Sequence, residues 1–507
     1  MPARVLFIGA DAAEATLIER WAAEGHLPAF ARLGAATPPA RLGNPLETLP
    51  GAIWPEITTG RSGKRDAIFY PTRQIKTGEG RFRAVRPAET DTRTFYSVAA
   101  GAGRRVAVFD LPHTVLDRTV AAHVVEYDLH DHWYGTTSQP PGLLAELRAR
   151  HGDPLITACD EHGATEAGYL RLVDGLVEGA RRKTEALLDL IARERWDLFA
   201  CNFSEGHCAG HHLWHFLDEQ APRHTAAAPE RLRHGLRTVY AAIDEGIGRL
   251  VAAAGRDADV MVLASHGMTL YTGGPQLLPK VLRHLGMGGT RRSALRAALP
   301  DPLVRVLRLV PRSFRRKAHA AADAMVHPLE LSSTRAVDVD NLRCGAIRLN
   351  LRGREPKGTV ARGREEAALA AELSDELLRL EDPASGARIV ERVMTAREAF
   401  GEAHSPDVPD LIVVFRTDLG PIEACRSPRV GLVRSPLFKP HLPRSGDHSV
   451  ESRLWAVGPD LPARLEPGNV LDVAPTLLAL CGVEAPAWMD GRPRWAALRA
   501  AEAQPSM

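Results

Sequence analysis

An α/β fold is what this 507-residue sequence predicts: a largely parallel sheet with helices on both faces, plus inserted cap segments. Three observations carry the prediction. Short apolar runs rich in β-branched residues alternate with longer amphipathic stretches. Those runs are apolar throughout, as strands covered on both faces are. Polar residues with chemical capacity recur just beyond them, where sheets of this class bind ligands at the carboxyl ends of their strands.

Taken in order, Val5–Ile8 is a strand ending at Asp11, and an amphipathic helix follows from about Glu14 to Leu33. Strand patterns recur at 105–110, 120–125, 196–203, 260–264, 410–415 and 453–458. Helical patterns fall at about 165–193, 228–254 and 364–380. The whole chain, 1–507, reads as a single α/β domain. Two insertions are expected in it: a basic helical cap at about 276–330, and a segment at 111–165 that would wall a substrate pocket. From Arg291 to Lys317 there are nine basic residues and one acidic residue, Asp301. A solvated face is the plain reading of that run; a cap over an anionic substrate or a membrane-surface contact are its rivals.

Composition excludes more than it proposes. Hydrophobic residues make up 45% and charged residues 25%, ordinary values for a globular chain. The 64 basic and 62 acidic residues leave a formal charge of +2, so nothing global points to nucleic acid. No apolar run reaches the 18 residues of a membrane span. Six cysteines, with no C-x-x-C among them, read as reduced thiols, and with no signal-type segment a cytoplasmic location is expected.

The residues after the strands form a set. Asp11 follows the first strand, His207 and His211 follow the strand ending near Phe203, and Ser265-His266-Gly267 follow the strand ending at Ala264. Asp447-His448 precedes the strand at 453. Topology therefore brings Asp11, His207, His211, His266 and His448 to one rim as candidate metal ligands. The i,i+4 spacing of His207 and His211 puts both rings on one face of a helix. Imidazole and carboxylate suit zinc first, with manganese or iron also accommodated. Each feature alone is weak: a strand-end Asp is usually a turn or cap, and a histidine pair is often structural.

Thr48 is the candidate nucleophile. It stands ahead of Pro50 and a helix from about Ala52, where backbone N–H groups favour an anion; its bland reading is a helix cap. A metal can activate such a hydroxyl without a general-base histidine. A second cluster, Glu126 to Trp133, packs acids and histidines beyond the strand at 120–125, and reads as a polar loop or a pocket wall.

In this order the motifs resemble the type I phosphodiesterase/nucleotide pyrophosphatase family of the alkaline phosphatase superfamily. Asp11 matches the family's first-strand Asp. Thr48, with Trp54 and Thr59-Gly60, resembles its nucleophile segment. His207-x-x-x-His211 with Trp214 stands at its Asp-x-x-x-His, Ser265-His266-Gly267-Met268 at its Ser-Asp-His-Gly-Met, and Gly446-Asp447-His448 at its last loop. The block Ile347–Pro356 and the run from Pro409 also fit, so the likeness spans residues 4 to about 492. It implies an alkaline-phosphatase-like core and a hydrolase cleaving phosphodiester or pyrophosphate bonds in small-molecule phosphoester substrates. The same resemblance implies a Thr48 nucleophile and a divalent metal, zinc first and manganese as an alternative, as one ion or two. Asp11, His207, His211, Ser265, His266 and His448 would be the metal positions.

Three departures bear on that implication. His207 stands where Asp is usual, Ser265 replaces the Asp of Ser-Asp-His, and the segment from Thr48 to Gly60 runs two residues longer. Two carboxylates are thereby missing from a two-metal site, a poor charge balance in a dry cavity. Three readings stay open. One ion could be held by His207, His211 and His448, with a weak second site at Asp11, Thr48 and His266. Glu205 or Asp447 could supply the missing charge. The site could be decayed. A phosphotransferase or mutase, or a non-catalytic binder of phosphorylated ligands, are the functional rivals.

Overall fold

The computed structural model describes residues 3–66, 74–75, 77–78, 82–83, 93–127, 135–156, 164–288, 334–339, 343–436 and 444–496. A nine-stranded sheet forms its centre. In chain order its strands are β1 (Ala3–Ala10), β2 (Ala40–Gly43), β3 (Val106–Phe109), β4 (Ala122–Val125), β5 (Thr137–Gln139), β6 (Trp196–Phe203), β7 (Asp259–Ala264), β8 (Arg453–Val457) and β9 (Gly468–Asn469). In space the order is β9-β2-β8-β7-β1-β6-β3-β4-β5. The middle of the sheet, β7-β1-β6-β3-β4, is parallel, whereas β8 runs antiparallel to both its neighbours and β5 antiparallel to β4.

Alternation along β1 shows why both faces are covered. Leu6, Ile8 and Ala10 point into one core, shared with α1 (Ala15–Ala23), α2 (Pro28–Ala36), α4 (Glu166–Ala192) and α6 (Gly235–Ala254). Val5 and Phe7 point into a second core with α3 (Ile53–Thr59) and α8 (Val473–Leu480). Each buried Leu, Ile or Phe contributes roughly 1.5–3 kcal/mol. A slip of one residue would exchange the two faces, so the register is firmly held.

The helix expected from 14 to 33 is two helices. α1 stops at Glu24, Gly25 turns the chain at φ 84°, and Pro28 opens α2. Glycine after a helix end and proline at a helix start are the residues this break needs. The segment from 228 is likewise divided, into Glu230–Arg233 and α6.

Leu411–Phe415 reads like the other apolar strands but belongs to a separate antiparallel sheet with Ala336–Val339, Gly345–Leu349 and Val390–Thr395. One face of this sheet packs on α7 (Arg364–Leu378) and on Leu278–His284; the other receives Leu49 and Ala52. The block from Ile347 to Pro356 is structural. Arg348 and Arg354 both donate to Glu355 Oε1, at 2.7 and 3.0 Å, and Arg354 makes a two-pronged contact with Asp410 at 2.7 Å on each oxygen.

The expected insertions are partly in view. Residues 276–288 pack into the core of the second sheet through Leu277, Leu278, Val281 and Leu282. The basic run 291–317 lies outside the described residues, as do 128–134 and 157–163 of the second insertion. Among the described residues, no helix is long and apolar enough to cross a membrane.

Candidate metal centre

Three pieces of chain converge beyond the carboxyl ends of β1, β6 and β7. The first is Asp11, whose N–H donates to Phe203 O at 2.9 Å and so ties the ends of β1 and β6 together. The second is α5 (Glu205–Leu217), which starts one residue after β6 and carries His207 and His211 one turn apart. The third is Gly446–Ser449, paired antiparallel with Gly267–Leu270 so that His448 stands opposite Met268. Close approach explains two glycines. A Cβ on Gly267 would lie 2.0 Å from Glu14 Oε2, and one on Gly446 would lie 2.2 Å from Gly210 O in α5.

The histidines meet through their Nε2 atoms. His207 Nε2 is 2.9 Å from His211 Nε2 and 3.0 Å from His448 Nε2, and the three ligand atoms all lie within 4.8 Å of one another. Their outer nitrogens decide what that means. His211 Nδ1 is 2.8 Å from the Gly446 carbonyl, which can only accept, so Nδ1 carries the proton. His207 Nδ1 is 2.7 Å from Asp11 Oδ2, a carboxylate, and is protonated for the same reason. In their neutral forms both rings therefore present a bare lone pair at Nε2. Two lone pairs 2.9 Å apart repel unless a cation lies between them.

Electrostatics keeps protons off His211 and His448. Burial, with Arg444 and His207 next, holds His211 well below the usual imidazole range; burial, with His266 and His207 next, does the same to His448. Burial by itself would raise Asp11, but His207 and His266 outweigh it, and the carboxyl sits well below its ordinary value. Nitrogens around a zinc at 2.0–2.1 Å in tetrahedral array stand about 3.3 Å apart. The two spacings to His207 need open by only a few tenths of an ångström, and the third, within 4.8 Å, need close by no more than about 1.5 Å. The donor set fits a divalent ion.

Around this centre the other oxygen of Asp11 is occupied. Trp54 Nε1 donates to Oδ1 at 2.7 Å, and Ser265 Oγ donates to it at 3.3 Å while also lying 3.0 Å from His266 Nδ1. The His266 ring is 4.5 Å from that of His448, centroid to centroid. Glu14 braces the same loops: its Oε2 accepts from Met268 N–H at 2.9 Å and Ser449 Oγ at 2.8 Å.

Asp11, His207, His211, Ser265, His266 and His448 are thus brought together as expected. Thr48 sits in the turn between β2 and α3, partly buried, its Oγ1 3.5 Å from the Pro45 carbonyl; through α3 it is joined to Trp54 and so to Asp11. Glu205 pairs instead with Lys183 at 3.3 Å, and Lys183 also meets Asp110 at 3.1 Å. Asp447 caps its neighbour, accepting from the His448 N–H at 2.8 Å, and burial raises its carboxyl above the ordinary range. Sequence reasoning passed over Lys183 and Glu14. Lys183 had a signal: it lies on the apolar stripe of α4 with Gly179, Ala180, Ala186 and Leu187, where a lysine needs a buried partner. Of the Glu126 cluster, Glu126 itself is buried and accepts from Gly135 N–H at 2.8 Å, a structural role.

Comparison with known proteins agrees with this architecture. The family model for type I phosphodiesterase/nucleotide pyrophosphatase matches residues 5–424. No curated protein matches the chain. Among solved structures, phosphonoacetate hydrolase from Sinorhizobium meliloti 1021, in complex with phosphonoformate, is 13% identical over 94% of this chain and 96% of its own, with a TM-score of 0.53. Murine ectonucleotide pyrophosphatase/phosphodiesterase 5, in complex with AMP, is 11% identical over 96% of each chain, with a TM-score of 0.48.

Proposed function

The chain belongs to the type I phosphodiesterase/nucleotide pyrophosphatase family, a family of phosphoester hydrolases, and from that premise we propose that it cleaves phosphodiester or pyrophosphate bonds in small-molecule substrates. His207, His211 and His448 hold a divalent ion, zinc first and manganese as an alternative. Thr48 is the nucleophile. The observation that carries the reading is the convergence of three imidazole Nε2 atoms, with His207 Nε2 2.9 Å from that of His211 and 3.0 Å from that of His448, while acceptors hold the outer nitrogens of His207 and His211.

When bound, the ion supplies Lewis-acid stabilisation of the charge that develops on phosphoryl oxygens. The chain does the rest. Asp11 and the Gly446 carbonyl hold two imidazoles in the ligating tautomer. Thr48 Oγ bonds to phosphorus as the bond to the leaving oxygen breaks, and the hydroxyl proton passes to solvent. Water then attacks the phosphoryl-threonine, the Oγ–P bond breaks, and Thr48 regains its proton.

The test is hydrolysis of an aryl phosphodiester by protein loaded with zinc or manganese, compared with Thr48→Ala and with chelated protein. Turnover lost in both supports the proposal. Turnover that survives in Thr48→Ala refutes the nucleophile. The second reading, a non-catalytic binder of phosphorylated ligands, is favoured by the engagement of both Asp11 oxygens within the protein; it predicts metal binding with no Thr48-dependent turnover.

A further inference from the structure

We infer that this centre takes one ion, not two, and that Asp11 acts on it through His207 as a positioning carboxylate without ligating a metal. The inference rests on the metal-centre reading above and deepens it. Both Asp11 oxygens are accounted for by protein donors: Oδ2 by His207 Nδ1 at 2.7 Å, Oδ1 by Trp54 Nε1 at 2.7 Å and Ser265 Oγ at 3.3 Å. A carboxylate bonded to the outer nitrogen of a ligating histidine is a known way to fix its ring and strengthen it as a donor. The His207 ring spans that role, with Asp11 at Nδ1 and the other two histidines at Nε2.

The ground a second ion would occupy is linked to itself. Ser265 Oγ joins Asp11 Oδ1 to His266 Nδ1, so three groups that would face that ion are bonded to one another. Charge argues the same way. Two carboxylates touch the histidine cluster: Asp11 at His207 Nδ1, and Asp447, which accepts the His448 backbone N–H at 2.8 Å. Nearby, Glu14 is engaged by Met268 N–H and Ser449, and Glu205 by Lys183. A second dication would add two positive charges to a buried site whose neighbouring carboxylates are each already engaged by protein donors.

Zinc alone is the probe. Wild type, Asp11→Asn, His207→Ala and His266→Ala are loaded with zinc and dialysed, then zinc per chain is counted by elemental analysis. Affinity is measured by competition with a chromophoric chelator. The expected result is one zinc per chain in wild type and His266→Ala. Asp11→Asn should keep one zinc per chain with affinity reduced about 10–100-fold, the usual cost of losing such an outer partner. His207→Ala should lose it. Asn keeps an acceptor for Trp54, which favours folding of that variant, and the wild-type count needs no variant at all. Two zincs in wild type, falling to one in Asp11→Asn, overturns the inference while leaving the phosphodiesterase reading intact. One zinc without turnover does the reverse. No zinc in wild type overturns both.

Discussion

Lys183→Met tests the foundation on which the metal-bearing helix stands. Lys183 is fully buried, and its ammonium lies 3.1 Å from Asp110 Oδ2 and 3.3 Å from Glu205 Oε1, with the Asn202 carbonyl at 3.3 Å. At an effective dielectric near 20, each ion pair is worth about 5 kcal/mol before desolvation, which cancels much of the gain. Removing the cation leaves two carboxylates buried and unbalanced, and the expected loss of stability is about 3–5 kcal/mol at pH 7. Methionine keeps the volume of the stem, so the loss is electrostatic and not a cavity effect. The assay is urea unfolding followed by tryptophan fluorescence at pH 7 and pH 5. Stranded carboxylates have raised pKa values, so they take up protons in the folded state as pH falls, and the deficit should shrink at pH 5. Because Glu205 opens α5 two residues before His207, zinc affinity should fall as well. A loss under about 1 kcal/mol, or one independent of pH, would refute the reasoning.

Two further outcomes are expected. Burial pushes Glu56 up to about 7 from an ordinary 4.5, with Gly63 N–H donating to its Oε1 at 2.8 Å. Its favourable contribution is therefore complete below pH 4.5 and lost as pH rises through 7, a span of about 3 kcal/mol at most. Glu56→Gln should match wild type near pH 4.5 and exceed it in melting temperature at pH 8; parallel pH profiles would contradict this. Gly446→Ala places a Cβ 2.2 Å from the Gly210 carbonyl and must move the strand that carries His448 and the carbonyl that orients His211. It should cost about 1–3 kcal/mol of stability and weaken zinc binding at least tenfold, read by the same competition titration; unchanged affinity would show that the strand is free to adjust.

The local elements were legible because they are set by short-range pattern. β6 lies at Trp196–Phe203 as its apolar run indicates, and α4 at Glu166–Ala192, within a residue or so of its periodic stretch. His207 and His211 share a helix face for the same reason: a spacing of four is a geometric fact of the helix. Membership of the family was legible too, since the ordered motifs are linear features. Where the pattern is ambiguous the reading blurred. Leu411–Phe415 and Arg453–Val457 have the apolar content of the parallel strands, but one lies in the second sheet and the other runs antiparallel. Apolar content records that a strand is buried, not which neighbour it pairs with or in which direction.

Sequence by itself thus determined the kind of element, its buried face, and the residues delivered to the rim. Tertiary structure decided how those residues meet. His207 reaches Asp11 across 196 positions and His448 across 241, and which oxygen of Asp11 serves His207 and which serves Trp54 is set by backbone register and rotamer packing. The partner of Lys183 was likewise fixed only when α4 docked beside β6 and β3. Periodicity acts over a few residues, whereas a ligand set depends on ångström-scale distances between segments brought together by packing, and no short stretch of chain contains those distances.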